Sequence, residues 1–157
     1  MNKEYINIYN NLVNISRNKK IFNIFTRKDT FSDRLTILLF HLGFFIKQYK
    51  NQISKKDMQS IYDYIFRQLE LSIREIGYGD ASINKKMKNY INVFHSMLEK
   101  IENWEVIANE EKEEFLKSYI NFEGNLNDLT IYFNKYCAFL TKKPFNLFTK
   151  GVIRFEL

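Results

Sequence analysis

The chain has a single cysteine, Cys137, so it can form neither an internal disulfide nor a thiolate metal cluster. A reducing compartment fits that count. One proline and five glycines are too few turn-formers for an all-β fold of many short strands. The two histidines, His41 and His95, stand far apart and show no metal-ligand spacing. No long hydrophobic run is present. The longest, LTILLFHLGFFI (Leu35–Ile46), falls well short of the roughly 20 residues that span a bilayer. The opening MNKEYINIYNN lacks the basic start and apolar core of a signal peptide. Glu4 and the scarcity of arginine argue against a transit peptide. The expectation is a soluble or membrane-peripheral protein.

What is present favours one helical domain. The 157 residues are 45% hydrophobic, 17% aromatic and 27% charged, a composition that can hold a core and argues against disorder. No Pro- or Ser-rich linker divides the chain, and no internal repeat is visible. The net charge is +6, mostly from lysine. Such a balance suits RNA, anionic lipid or an acidic partner. Lysine mixed with Asn and Ile also fits a compositional bias of the genome.

Helical periodicity dominates. A first helix, about Lys3 to Arg17, repeats Tyr5, Ile8, Tyr9, Leu12 and Val13. The piece IFNIFTRKDT follows as a short apolar stretch and a loop. A second helix, about Phe31 to Tyr49, puts Phe31, Leu35, Leu38, Leu42, Phe45, Ile46 and Tyr49 on one arc. Ile37, Phe40 and Phe44 fall on the opposite side. A helix apolar on both sides is central in a core or has a partner on its second side. A third helix begins at the capping signal SKKD, Ser54 to Asp57. Met58, Ile61, Tyr62, Ile65, Leu69 and Ile76 form its inner face, and Tyr64 and Leu71 a narrower second strip. A fourth starts at Asp80 as N-cap, with Ile83, Met87, Tyr90, Ile91, Phe94, Met97, Leu98 and Ile101 inward. A fifth runs from near Asn109 to Phe122, with acids crowding its first turn and Gly124 as its end. A sixth runs from about Asn127 to Leu140, turning Leu129, Tyr132, Phe133, Tyr136 and Leu140 inward, and Pro144 stops it. The tail GVIRFEL is expected to be extended and to dock. The fold class is all-α, one compact domain of about six helices. Residues 1–30 form a helical extension and residues 31–157 the core.

The glycine pair in Gly77-Tyr78-Gly79-Asp80 resembles a phosphate loop only superficially. A P-loop needs a preceding strand and a Lys-Ser/Thr ending, and neither is here. The stretch reads instead as a helix end at Gly77, a flexible Gly79 and a helix start at Asp80. Glu75 stands out, because an anion in the last turn opposes the helix dipole while Arg74 suits it. Glu75 therefore wants a cation, from a partner or from within the chain. His41 sits in an apolar helix as a hydrogen-bonded core or interface histidine. His95 is half exposed. Cys137 lies among Tyr136, Ala138 and Phe139 and is a poor nucleophile. No catalytic motif is evident. Lys85, Lys86 and Lys88 flank Tyr90, but Tyr90 belongs to the inner stripe and is not free to stack on a base.

The stretch LELSIREIGYGDASINKKMKNYINVFHSML resembles the signature of the ubiquinol–cytochrome c chaperone family. The match lies in Ile73-Arg74-Glu75-Ile76-Gly77-Tyr78-Gly79-Asp80 followed by the basic residues Lys85, Lys86 and Lys88. Upstream, LTILLFHLGFFIKQYK resembles the family's apolar helix with its histidine, at His41. The likeness runs from about Phe31 onward, and the central octet carries most of it. The Tyr-Gly-Arg that often follows the basic helix is replaced here by VFHSML.

The resemblance implies a non-enzymatic assembly factor without a cofactor. Its client would be newly made cytochrome b on its way into respiratory complex III. A small partner subunit, the ribosome and a peripheral membrane contact are further implied partners, and DNA is not. A bacterial protein at the inner face of the cytoplasmic membrane is implied, or one on the matrix side in a mitochondrion. By this analogy Arg74, Glu75, Gly77, Gly79 and Asp80 shape a binding corner, with Lys85 and Lys88 as a polar rim. A chaperone for a membrane subunit needs exposed apolar surface. Ile37, Phe40, His41 and Phe44 on the second helix, with Tyr64 and Leu71 on the third, are the expected candidates. The alternative is a basic RNA- or ribosome-associated binding module without catalysis.

Overall fold

A computed structural model of the chain describes residues 2–19, 21, 30–120 and 126–155. Among them are seven helices and no strand: α1 Asn2–Ser16, α2 Phe31–Tyr49, α3 Lys55–Glu75, α4 Asp80–Ile101, α5 Asn109–Tyr119, α6 Leu126–Thr141 and α7 Asn146–Lys150. Most of the IFNIFTRKDT piece, together with Phe122 and Gly124, lies outside the described residues.

Local chemistry sets the helix starts. The Thr30 hydroxyl accepts from the Asp33 amide at 3.1 Å, and Ser54 accepts from the Asp57 amide at 3.0 Å. Each satisfies an amide that a first helical turn leaves without a partner. Glu110 and Glu111 occupy the first turn of α5, where the dipole favours them. That helix stops at Tyr119 rather than Phe122, because Ile120 turns to extended backbone. After Pro144 comes α7, a single short turn that the hydrophobic period did not reveal.

The axis of the fold is α2, which packs on α1, α4 and α6. Leu35, Leu38, Leu42, Phe45 and Tyr49 are buried, as the period predicts. The other side is buried too: Ile37 and Phe40 are 0% exposed, His41 0% and Phe44 1%. The expected exposed strip on this helix is therefore core. Aromatic layers from later in the chain cover it. Phe40 meets Phe115 and Phe133 with ring centroids 5.6 and 5.4 Å apart. Phe44 stacks on Phe133 at 5.5 Å and meets Trp104 edge-on at 5.1 Å.

His41 is satisfied inside this layer. Its Nδ1 lies 2.7 Å from the Ile37 carbonyl and its Nε2 2.6 Å from the Tyr132 hydroxyl. A carbonyl can only accept, so Nδ1 carries the hydrogen and Tyr132 donates to Nε2. Burial pushes the imidazole from 6.5 down to about 4, against the opposing pull of the Ile37 carbonyl. The ring is neutral at physiological pH.

The inward residues of α6, from Leu129 to Leu140, are all buried. On α4, Ile83, Phe94, Met97 and Ile101 are buried, while Met87, Tyr90, Ile91 and Leu98 are half-buried. On α3, Ile61, Ile65 and Leu69 are buried, but Ile76 is 50% exposed. Ile76 is the cap residue, and its side chain lies past the end of the packed face. The tail docks on the first helix. Asn11 donates to the carbonyls of Phe148 and Gly151 at 3.1 and 2.7 Å and accepts from the Ile153 amide at 2.9 Å. Phe155 is buried against Phe139, Tyr132 and Tyr136.

Candidate partner-binding corner

The chain reverses between α3 and α4 through Ile76, Gly77, Tyr78 and Gly79. Gly77 has φ +103°, the left-handed region that closes many helix ends. Its amide donates to the Arg74 carbonyl at 3.0 Å. Gly79 is extended, at φ −73° and ψ 161°, and caps α4 without a side chain. Asp80 is thus the first helical residue and not the expected N-cap. Its carboxylate is engaged elsewhere, accepting from Arg74 Nη1 at 2.6 Å.

Arg74 joins the two helices. It also donates to Glu70 at 3.1 Å, and Glu70 accepts from Arg67 at 2.8 Å. The hydrogen bonds from Arg67 and then Arg74 hold the Glu70 carboxyl below its ordinary value. Asp80 and then Glu70 raise Arg74 further. The network is solvent-exposed, so its weight is in geometry more than in stability.

Glu75, one residue from this network, joins none of it. It is exposed and makes no hydrogen bond or ion pair among the described residues. The lysine partner allowed for in sequence is absent there. Lys85 and Lys88 are likewise exposed on the first turns of α4 without an ion pair. Lys86 sits over the Tyr78 ring, 4.4 Å from its centroid. The corner also carries exposed apolar side chains: Leu71 at 38%, Ile76 at 50% and Tyr78 at 44%.

Folding brings Arg74, Glu75, Gly77, Gly79, Asp80, Lys85 and Lys88 to one end of the α3–α4 pair, with Leu71 beside them. Tyr64 is apart, half-covered by Tyr5 of α1 at a ring distance of 6.0 Å. Ile37, Phe40, His41 and Phe44 are in the core and do not face this corner. Sequence reasoning missed Ile76 and Tyr78 as exposed apolar groups. The signal was available, since an isoleucine at a helix cap and a tyrosine between two glycines have no helical face to join.

Among the described residues no group of His, Cys, Asp and Glu could hold a metal ion. Burial pushes the Cys137 thiol up to about 11, far from a reactive thiolate.

Residues 23–105 match the sequence profile described as ubiquinol-cytochrome C chaperone. The chain belongs to that family. The matched segment takes in α2, α3, the corner and α4. The fold is similar to the crystal structure of the Cbp3 homolog from Brucella abortus, with a TM-score of 0.74 at 18% identity. The likeness covers 98% of this chain and 89% of that one. Curated proteins give no significant match. Within the matched segment, the corner leaves Glu75, Lys85 and Lys88 unpaired among the described residues and Leu71, Ile76 and Tyr78 uncovered.

Proposed function

We propose that this chain is an assembly chaperone that binds newly made cytochrome b and assists its entry into the ubiquinol–cytochrome c reductase, respiratory complex III. The observation supporting this reading is the family match over 23–105, which contains the exposed corner. Leu71, Ile76 and Tyr78 supply the apolar contact a membrane client needs. Glu75, Lys85 and Lys88 are charges left for a partner, and Arg74 with Asp80 holds their frame. No cofactor takes part in this reading. Its work is done at the inner face of the bacterial cytoplasmic membrane, with residues 31–157 as the working core. Among the described residues no helix is long and apolar enough to cross a membrane. A charge of +6 favours anionic lipid nearby.

Capture of newly synthesised, labelled cytochrome b on the immobilised full chain tests the proposal. Enrichment over an unrelated basic helical protein is expected, and equal recovery would sink it. The alternative of an RNA- or ribosome-associated module draws on the unpaired Lys85 and Lys88. Its mark is an RNA affinity that falls steeply with salt and is lost in Lys85→Glu with Lys88→Glu.

A further inference from the structure

Two adjoining cavities run along the seam between α3 and α4. One, of about 600 Å³, lies towards the start of α3 and is also lined by α2. The other, of about 510 Å³, lies towards the corner. They share Tyr62, so together they form one groove. Its apolar lining includes Met58, Tyr62, Phe66, Met87, Ile91 and Leu98. Tyr62 packs against Phe66 in a tilted pair, with centroids 4.5 Å apart, and is half-buried in the middle of the groove. Half-buried aromatics of this kind anchor partner helices. Two of the four methionines line the groove, and methionine adapts its shape to an incoming apolar surface.

The charges around this lining are unbalanced. The lining carries four cations, Lys50, Lys55, Arg67 and Lys88, and two carboxylates, Asp63 and Glu70. Lys50 is paired with Glu102 and Arg67 with Glu70, while Asp63 accepts from Gln59. Lys55 and Lys88 have no ion pair among the described residues, and they stand towards opposite ends of the groove. Along α3 alone, Lys55 and Arg67 are about 18 Å apart at about 1.5 Å per residue. That is the length of roughly three helical turns.

We propose that the α3–α4 groove docks an amphipathic helix of a partner protein, whose apolar stripe of about three turns is bounded by carboxylates. The apolar stripe covers Tyr62 and the two methionines, and the carboxylates meet Lys55 at one end and Lys88, which the groove shares with the corner, at the other. A transmembrane client segment would bring no such carboxylates, so this occupant is not a membrane-spanning segment of the proposed cytochrome b client. The proposal stands whether or not that client is correct.

The probe is a stapled, fluorescent helical peptide of about four turns, with a Leu/Ile stripe flanked by glutamates. A matched peptide carries lysine at each glutamate. Anisotropy with the full chain should show the acidic peptide binding at least about tenfold tighter, with the gap narrowing as salt rises. Lys55→Glu should remove most of that preference, and Tyr62→Ala should weaken both peptides while the melting temperature reports the fold. Equal affinity for the two peptides, or acidic-peptide binding untouched by Lys55→Glu, overturns the proposal. So does self-association of the free chain that Lys55→Glu abolishes, because a second copy would then be the occupant. Cytochrome b capture by Lys55→Glu is measured in parallel. Retained capture with lost peptide preference separates this groove from the corner.

Discussion

Arg74 donates to Asp80 at 2.6 Å across the glycine corner, tying the last turn of α3 to the first turn of α4. The pair fixes the angle at which the free charges of the corner are displayed. Asp80→Asn removes one anchor and leaves Arg74 on Glu70. Because the pair is exposed, the melting temperature should hardly move. Cytochrome b capture should fall, since the corner is no longer fixed. A large drop in melting temperature with unchanged capture would assign the pair to folding instead.

The two glycines of the corner should respond differently to a side chain. Gly77 has φ +103° and open space around it, so a Cβ meets strain but no clash. Gly77→Val should destabilise the fold by about 1–2 kcal/mol in urea unfolding. Gly79 has an ordinary φ of −73°, so Gly79→Ala should cost only the weaker N-cap preference of alanine, under about 1 kcal/mol. Equal costs at both positions would contradict the left-handed assignment.

Glu75 is exposed and unpaired among the described residues, so it contributes little within the chain. Glu75→Gln should leave the unfolding midpoint in place and weaken cytochrome b capture. A shifted midpoint would make Glu75 a structural partner and remove it from the site.

Phe40 and Phe44 belong to the core. Phe40→Ala or Phe44→Ala should cost about 3–5 kcal/mol, the range for a buried aromatic cut to alanine. Leu71→Ala, on the surface, should change stability little and bear on capture. A Phe40→Ala protein with wild-type stability would restore the second side of α2 as a candidate surface.

Acid should act through His41. Its folded pKa lies at about 4, below the ordinary 6.5, so the unfolded chain binds a proton that the folded chain refuses. Stability is therefore fully present above about pH 6.5 and falls as pH drops towards about 4, by up to about 3 kcal/mol. His41→Phe should flatten that slope in urea titrations across the same window, whatever it costs at neutral pH. Glu70, held low by its arginines, acts in the same direction only at lower pH and is screened by salt. An unchanged slope in His41→Phe would place the acid sensitivity elsewhere.

The long helices were legible because local rules set them. Ser54 capped where the SKKD signal promised, and the α6 stripe from Leu129 to Leu140 is buried residue for residue. The corner was legible as a break between helices, and Glu75 as a charge its own helix does not explain. Asp80 lies inside the helix and not at its cap: Gly79 takes the cap position, and Arg74 holds the Asp80 carboxylate. That pairing depends on how α3 and α4 meet. Likewise, α7 is too short to show a period.

Sequence alone determined the helix class, the main helix starts, the turn at Gly77 and the octet that carries the family likeness. These depend on backbone preferences and on neighbours within a few residues, which the chain order itself supplies. Tertiary structure alone decided which apolar faces are covered. Periodicity marked both sides of α2 as apolar, but only the arrival of Phe115, Phe133 and Trp104 closes the second side. It also decided that Glu75, Lys85 and Lys88 remain unpaired among the described residues. Burial and charge pairing are made by residues distant in sequence, and their meeting is fixed only when the helices pack.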